Sequence, residues 1–380
     1  MIRSVKALTA SSYLCMLFLG LSSTIVGAAA KNIGLSPEQI GLMVALQNVG
    51  FVLSVSLTGA IADTYEKPRL LLWGSVVLVA GLLIFYLGGV FGIYLVAMIL
   101  TGIGTGVYEG VADAMILDLH QARESLHITI NHMFVSIGSV AITVSMIFLP
   151  GQDMWRTAVI LSAIVASLLA GFFVLARLEV HSSRGESFRT RLRMLSTNKV
   201  VALLFVCVIL AVGVELGTVG VLTSFLMDLR GFSDVASKLG LFVFLAGMIS
   251  GRFLVGLLSQ NEYVPRYIMG LFGGACLVFS LLFLVDLGTQ ATYALIYLAG
   301  ISLSATLPLI ITLAGLKFKH MAGTVMGAVK VAIPLGGIVI PALMSAVTGA
   351  ASFQVSLLLF PLSFLIGFGL LYSQRRQVLL

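Results

Sequence analysis

Glu109 and Asp113 stand four residues apart in TGIGTGVYEGVADAMILDLH (101–120), a stretch otherwise mostly apolar or small. On a helix that spacing puts both carboxyls on one face, with Gly102, Thr105 and Gly106 beside them. Small residues there let a neighbouring helix, or a solute, come close. An ionised carboxylate in lipid costs at least about 2.5–3.5 kcal/mol. Burial and a like charge one turn away both work against the ionised form, so such a group can take up and release a proton. The plainer alternative is a structural ion pair or a helix-end charge facing water. It suits Asp113, nearer the end of its segment, better than Glu109.

Four other sets of residues invite the same question. Glu215, in AVGVELGTVG, is a second acid among glycines. Lys330, in TVMGAVKVAIPLGG, is the base placed well inside an apolar run; it cannot easily snorkel out. It calls for a carboxylate, Glu109 or Glu215, or for an anionic solute. Pro334, four residues on, releases the Lys330 carbonyl and kinks the helix. Asn131 and His132 open one apolar run, and Gln47 and Asn48 sit within another. Amides and imidazoles both donate and accept, which suits a hydroxyl-rich solute and equally suits glue between helices. His132 lies close to one end of its run, where contact with water is expected.

The elements that must hold these groups are legible in the composition. Of 380 residues, 59% are hydrophobic and 10% charged, with a mean hydropathy of +1.12; soluble chains carry roughly 25% charged residues. Apolar runs of membrane-crossing length, about 17–25 residues, recur at Ala7–Ala30, Gln39–Ala62, Leu70–Val90, Gly92–Leu117, Leu126–Leu149 and Thr157–Ala176. After the polar segment 177–199 they resume at Val200–Leu222, Leu239–Leu258, Tyr267–Val285, Thr292–Leu316, Gly323–Thr348 and Ser352–Tyr372. The expectation is an all-α integral membrane protein of about twelve spans, because a helix satisfies its own backbone in lipid. The first run is too long for a signal peptide and another follows at once.

The net charge of +7 orients the chain rather than binding nucleic acid. Arg3, Lys6, Lys67, Arg69, Arg123, the basic 177–199 segment, Arg266, Lys317, Lys319 and Arg375 fall on one side, and Lys31, Arg156, Arg230 and Lys238 on the other. By the positive-inside bias both termini are expected in the cytoplasm. Cys15, Cys207 and Cys276 all lie within spans, an odd set that argues against a disulfide framework. There is no phosphate-cradling loop, no paired-cysteine or HExxH metal site and no nucleophile elbow. No cofactor, no metal and no enzyme activity are expected.

An internal repeat divides the chain. GFVLSVSLTGAIADTYEKPR from Gly50 aligns without a gap with GMISGRFLVGLLSQNEYVPR from Gly247, matching Gly50, Leu57, Gly59, Pro68 and Arg69 to Gly247, Leu254, Gly256, Pro265 and Arg266. Repeats of this kind build many transporters. The expected organisation is a six-helix bundle over 1–176, a cytoplasmic linker over 177–199 and a second bundle over 200–380.

With LSPEQIGLMVALQNVGF, GAIADTYEKPR and MWRTAVILSAI, the chain resembles the major facilitator superfamily over essentially its whole length. GTGVYEGVADA, NHMFVSIG and GRFLVGLL are most similar to the fucose-permease branch. The resemblance implies alternating access, with the solute held near the midplane between the bundles and spans one, four, seven and ten lining the cavity. In that branch a glutamate of span four takes part in proton and sugar handling, and Glu109 fits its place. Those carriers also use an aspartate in span one, where this chain has only hydroxyls such as Ser22, Ser23 and Thr24; Asp113 or Glu215 would have to substitute. Asp63, Arg69, Arg252 and Arg266, at the ends of spans two and eight and in the loops that follow them, correspond to a cytoplasmic gate.

The reading that follows is a monomeric, proton-coupled symporter of a small polar solute, sugar-like or a small carboxylate, in a bacterial inner membrane. Its partners are that solute, protons and the bilayer. A proton-coupled efflux antiporter is the alternative, against which span five carries Gly138 followed by Ser139 and no Gly-Pro pair. A membrane sensor that kept the fold without transport is the third.

Overall fold

The computed structural model describes residues 2–148, 154–178 and 197–375. Twelve helices among them are long and apolar enough to cross a membrane, and the one β feature among the described residues is an isolated bridge between Ile2 and Ala176. The chain is an all-α integral membrane protein. Spans one to six are Val5–Ile33, Pro37–Ile61, Lys67–Leu87, Phe91–Leu119, Glu124–Phe148 and Met154–Leu175, and spans seven to nine are Lys199–Ser224, Asp234–Leu258 and Val264–Leu284. Span ten is made of Gly288–Ser304 and Thr306–Lys317, span eleven of Ala322–Lys330 and Ala332–Ala350, and span twelve of Leu359–Ser373. The expected linker at 177–199 lies almost wholly outside the described residues.

Both interrupted spans break for one reason. Pro308 follows Ser304 by four residues, as Pro334 follows Lys330, and proline has no N–H to return to the carbonyl four places back. The kink expected at Pro334 is therefore present, and span ten carries its counterpart.

Contacts gather the chain into two compact units. The first comprises Met1–Gln121, Asn131–Arg193 and Gly315–Lys330; the second comprises Ala122–Ile130, Met194–Ala314 and Val331–Leu380. Within the first, span four packs against spans two and three, and three against six; within the second, span ten packs against eight, and nine against twelve. The repeat thus reappears as a repeated pattern of packing. A methyl group at Gly50 would stand 2.4 Å from the Ile99 carbonyl oxygen, and one at Gly247 would stand 2.3 Å from that of Tyr297. Neither position tolerates a side chain without driving its helix pair apart.

The repeat also reaches further upstream than the sequence suggested. Gly34 and Gly231 take φ of 78° and 67°, a region open mainly to glycine. Two residues later Ser36 and Ser233 each accept the backbone N–H three positions on, from Gln39 and Ala236, which caps the helix that follows. Aromatic clusters fill each unit: Phe85, Tyr94 and Trp155 in the first, and Phe272, Phe279, Phe283, Phe360 and Phe364 in the second. Large apolar side chains such as Leu53, Trp73, Phe242 and Leu258 point outward, as lipid contact requires.

Candidate functional site

Glu109 and Asp113 do share a face of span four, and it is buried: they are 2% and 0% exposed, and Lys330 is 1% exposed. Glycine on the neighbouring faces explains how a helix can come so near. Gly102, Gly106 and Gly110 lie directly against Gln47, Phe51, Ser54, Val55 and Thr58 of span two. The helix Ala322–Lys330 of span eleven packs against spans two and four, with Gly323 and Gly327 against Gly59, and carries Lys330 inward.

Asp113 is the hub of the site. Its Oδ1 accepts from Asn131 Nδ2 at 2.7 Å. Its Oδ2 accepts from His132 Nε2 at 2.9 Å and from Lys330 Nζ at 2.6 Å. Ser12 Oγ lies 3.2 Å from Asn131 Oδ1 and extends the network to span one. Of the two alternatives for Asp113, a helix-end charge facing water is corrected, because the carboxyl is fully enclosed, and the ion pair is present, with Lys330. His132, expected near a wetted rim, is buried as well, because its ring is drawn onto Asp113.

Glu109 is held differently. Lys330 Nζ donates to its backbone carbonyl and stands 2.9 Å from Oε1. That approach lacks the direction of a hydrogen bond, and Oε1 accepts none among the described residues. Lys330 therefore pairs with Glu109, one of its two expected partners, and also with Asp113. Carboxylate oxygens of Glu109 and Asp113 and a ring nitrogen of His132 lie within 4.8 Å of one another, near enough to hold a cation. The positive charge placed among them is the Lys330 ammonium.

Glu215, the other expected partner, is engaged in the second unit. Arg252 Nη2 lies 3.2 Å from Glu215 Oε1, and Arg252 Nε donates at 3.0 Å to the Ser304 carbonyl. That is the carbonyl left without its helical N–H by Pro308. Arg252 is buried and stands six residues before the end of span eight. Its guanidinium is turned into the unit and not toward a loop. Near Glu215, a cleft of about 300 Å³ is lined by Gly217, Gly220, Pro341, Met344, Thr348 and Phe353 and carries no charged group.

The remaining candidates separate by environment. Gln47 is buried and spends its amide on the Ser22 carbonyl at 2.8 Å, as helix glue would, while Asn48 is exposed. Asp63 accepts the backbone N–H groups of Gly323 and Thr324 at 2.8 and 2.9 Å, and the Thr324 hydroxyl. It thus caps the helix that carries Lys330, and a negative charge at a helix start is favourable. Arg69 and Arg266, matched in the repeat, are exposed; one pairs with Glu66 and the other lies 5.1 Å over the Tyr263 ring.

Sequence reasoning missed three features. Lys67 Nζ reaches Asp118 at 2.6 Å and ties the start of span three to the end of span four. Asn261 accepts the Ser125 N–H at 3.2 Å and donates to the Glu124 carboxylate, so a neutral amide holds the start of span five. A π-turn, Phe225–Leu229, ends span seven. Only the second had a readable signal: Asn261 stands at nearly the repeat position of Asp63.

Comparison with known proteins accounts for the fold. Two structures of FucP, the fucose:proton symporter of E. coli, one in an outward conformation, match with TM-scores of 0.81 and 0.80 at 14% identity. They cover 96% and 98% of this chain and 98% and 99% of theirs. The proton:xylose symporter XylE gives 0.77 at 15% identity over 97% of this chain and 95% of its own. The human organic anion transporter MFSD10 gives 0.75 at 16% identity over 97% and 100%. In sequence, an uncharacterised membrane protein of Saccharomyces cerevisiae is 28% identical over 144 residues, which are 36% of this chain and only 32% of that relative. The model of the Major Facilitator Superfamily matches residues 8–341, and the chain belongs to that superfamily.

Proposed function

We propose that the chain is a proton-coupled symporter of a small polar solute, working by alternating access, with Glu109 as the coupling acid. The observation that carries the reading is the contrast between the two buried acids. Asp113 has every oxygen engaged by hydrogen bonds. Glu109 has one ion contact and no hydrogen bond to Oε1, so protonating it costs that ion contact alone. The fucose and xylose symporters among the structural neighbours favour a sugar-like solute. The organic anion transporter keeps a small carboxylate in view.

In this reading Asp63, Arg69 and Arg266 belong to the cytoplasmic gate, and Arg252 and Glu215 form a second charged switch. Asn131, His132 and Lys330 set the surroundings of the coupling acid, and Gln47 and Asn48 are open to the solute or to packing. Two six-helix bundles joined by the 177–199 linker, cytoplasmic termini, a monomer and an inner-membrane location complete it. The test is solute-driven proton movement in proteoliposomes, screening sugars and small carboxylates. The wild type takes up protons with its solute; Glu109→Gln exchanges the solute and moves no protons. Undiminished proton movement in Glu109→Gln would end the assignment.

A further inference from the structure

We infer that Asp113 and Lys330 act as one fixed neutral pair, and that Glu109 alone gains and loses a proton. The inference rests on the reading of Glu109 as the coupling acid and adds that the two charges next to it carry none of the traffic. The argument is one of charge and donors. Two carboxylates face one ammonium within hydrogen-bonding reach, which leaves one negative charge uncompensated in a site closed to water. One proton on Glu109 brings the cluster to neutrality.

That proton has no equally good home elsewhere in the cluster. A proton on Asp113 would point an O–H at Asn131 Nδ2 or Lys330 Nζ, which can only donate, or at His132 Nε2, which would have to give up its own N–H there to accept. His132 serves Asp113 through Nε2. A second proton on that ring would still leave the Glu109 carboxylate ionised beside an ammonium that gives it no directed hydrogen bond.

Charged groups from the neighbouring elements do not change the count. Span two presents Gln47, Ser54 and Thr58 to span four, span one presents Ser12, and span three presents Ser75. Lys67, at the start of span three, is committed to Asp118. Each is neutral or already paired.

Lys330 and Asp113 are then positioning residues. Lys330 spends its N–H groups on the Asp113 carboxylate and the Glu109 backbone carbonyl, which fixes span eleven against span four around the acid. Removing one member of a buried pair strands its partner's charge, whereas removing both does not. The pair should therefore be dispensable as a unit while neither member is dispensable alone.

A solute-free experiment decides this. The infrared band of a protonated buried carboxyl is followed against pH in the purified full-length protein, in wild type, Glu109→Gln, and Asp113→Asn combined with Lys330→Met. Melting midpoints of the same proteins and of Lys330→Met alone report folding. The expected result is a titrating band in wild type, its loss in Glu109→Gln and its survival in the double variant. The melting midpoint falls in Lys330→Met and is largely restored in the double variant. His132→Gln, which keeps a donor for Asp113, retains the band.

Each other outcome has its own meaning. A band that persists in Glu109→Gln removes Glu109 from its role and the proposed function with it. A band lost in both Glu109→Gln and a folded double variant leaves Glu109 in place and overturns the inert pair. Loss in His132→Gln makes the carboxyl's proton depend on the imidazole and overturns it equally. A double variant no more stable than Lys330→Met alone shows that the two residues do not act as a unit.

Discussion

Lys330 and Arg252 are both cations turned into the protein, each beside a proline break, yet they solve the problem of burial differently. Lys330 has a point charge, two acids and a wholly enclosed site. Arg252 has a planar fork shared between the Glu215 carboxylate and the Ser304 carbonyl, and the Glu215 side chain is 20% exposed. The first arrangement sets two acids against one ammonium. The second closes on a pair of opposite charges that is only part-enclosed. In the proposed reading the enclosed cluster supplies the proton carrier, and the guanidinium pair the clasp.

This contrast can be broken most sharply at Lys330. Lys330→Met strands the Asp113 carboxylate in a dry site and should destabilise the protein by about 3–5 kcal/mol, read as a large drop in melting midpoint and loss of solute exchange. Arg252→Met should cost less, about 1.5–3 kcal/mol for lost hydrogen bonds to a charged group, because the Glu215 side chain is only part-buried. If the two variants prove equally destabilising, enclosure is not what separates the sites. Asp63→Ala leaves both cations in place and removes the cap beneath Lys330, at a cost of about 0.5–2 kcal/mol. It should also make cysteines introduced near Gly323 more reactive to a soluble thiol reagent, and unchanged labelling would deny Asp63 a gating role.

Much of this was legible in the residues. Apolar run length gave twelve spans, the four-residue spacing put Glu109 and Asp113 on one face, and a lone mid-span lysine had to find an acid. Pro334 located one break; Pro308, at the same distance from Ser304, announced the other to a reader counting four residues back. What could not be read was which acid does what. Asp113 looked the more expendable because it lies nearer its segment's end, but depth along a helix says nothing of what neighbouring helices bring to it. Asn131, His132 and Lys330 arrive from two other spans, and no spacing within one segment encodes their convergence. The Arg252–Glu215 pair was hidden in the same way: its members lie on consecutive helices and meet only once these are packed.

The break in span eleven falls on the residue that bears the charge, and the chain passes from one compact unit to the other at the same peptide bond, Lys330 to Val331. A charge in mid-helix would travel with a rigid rod. One at a joint swings with it, so a small change of bend alters both the depth and the aim of the ammonium. Neutralising Glu109 loosens one of the three holds on that ammonium, and bending the joint strains the same holds. With Glu109 as the proposed coupling acid, protonation and flexure are two handles on a single crank.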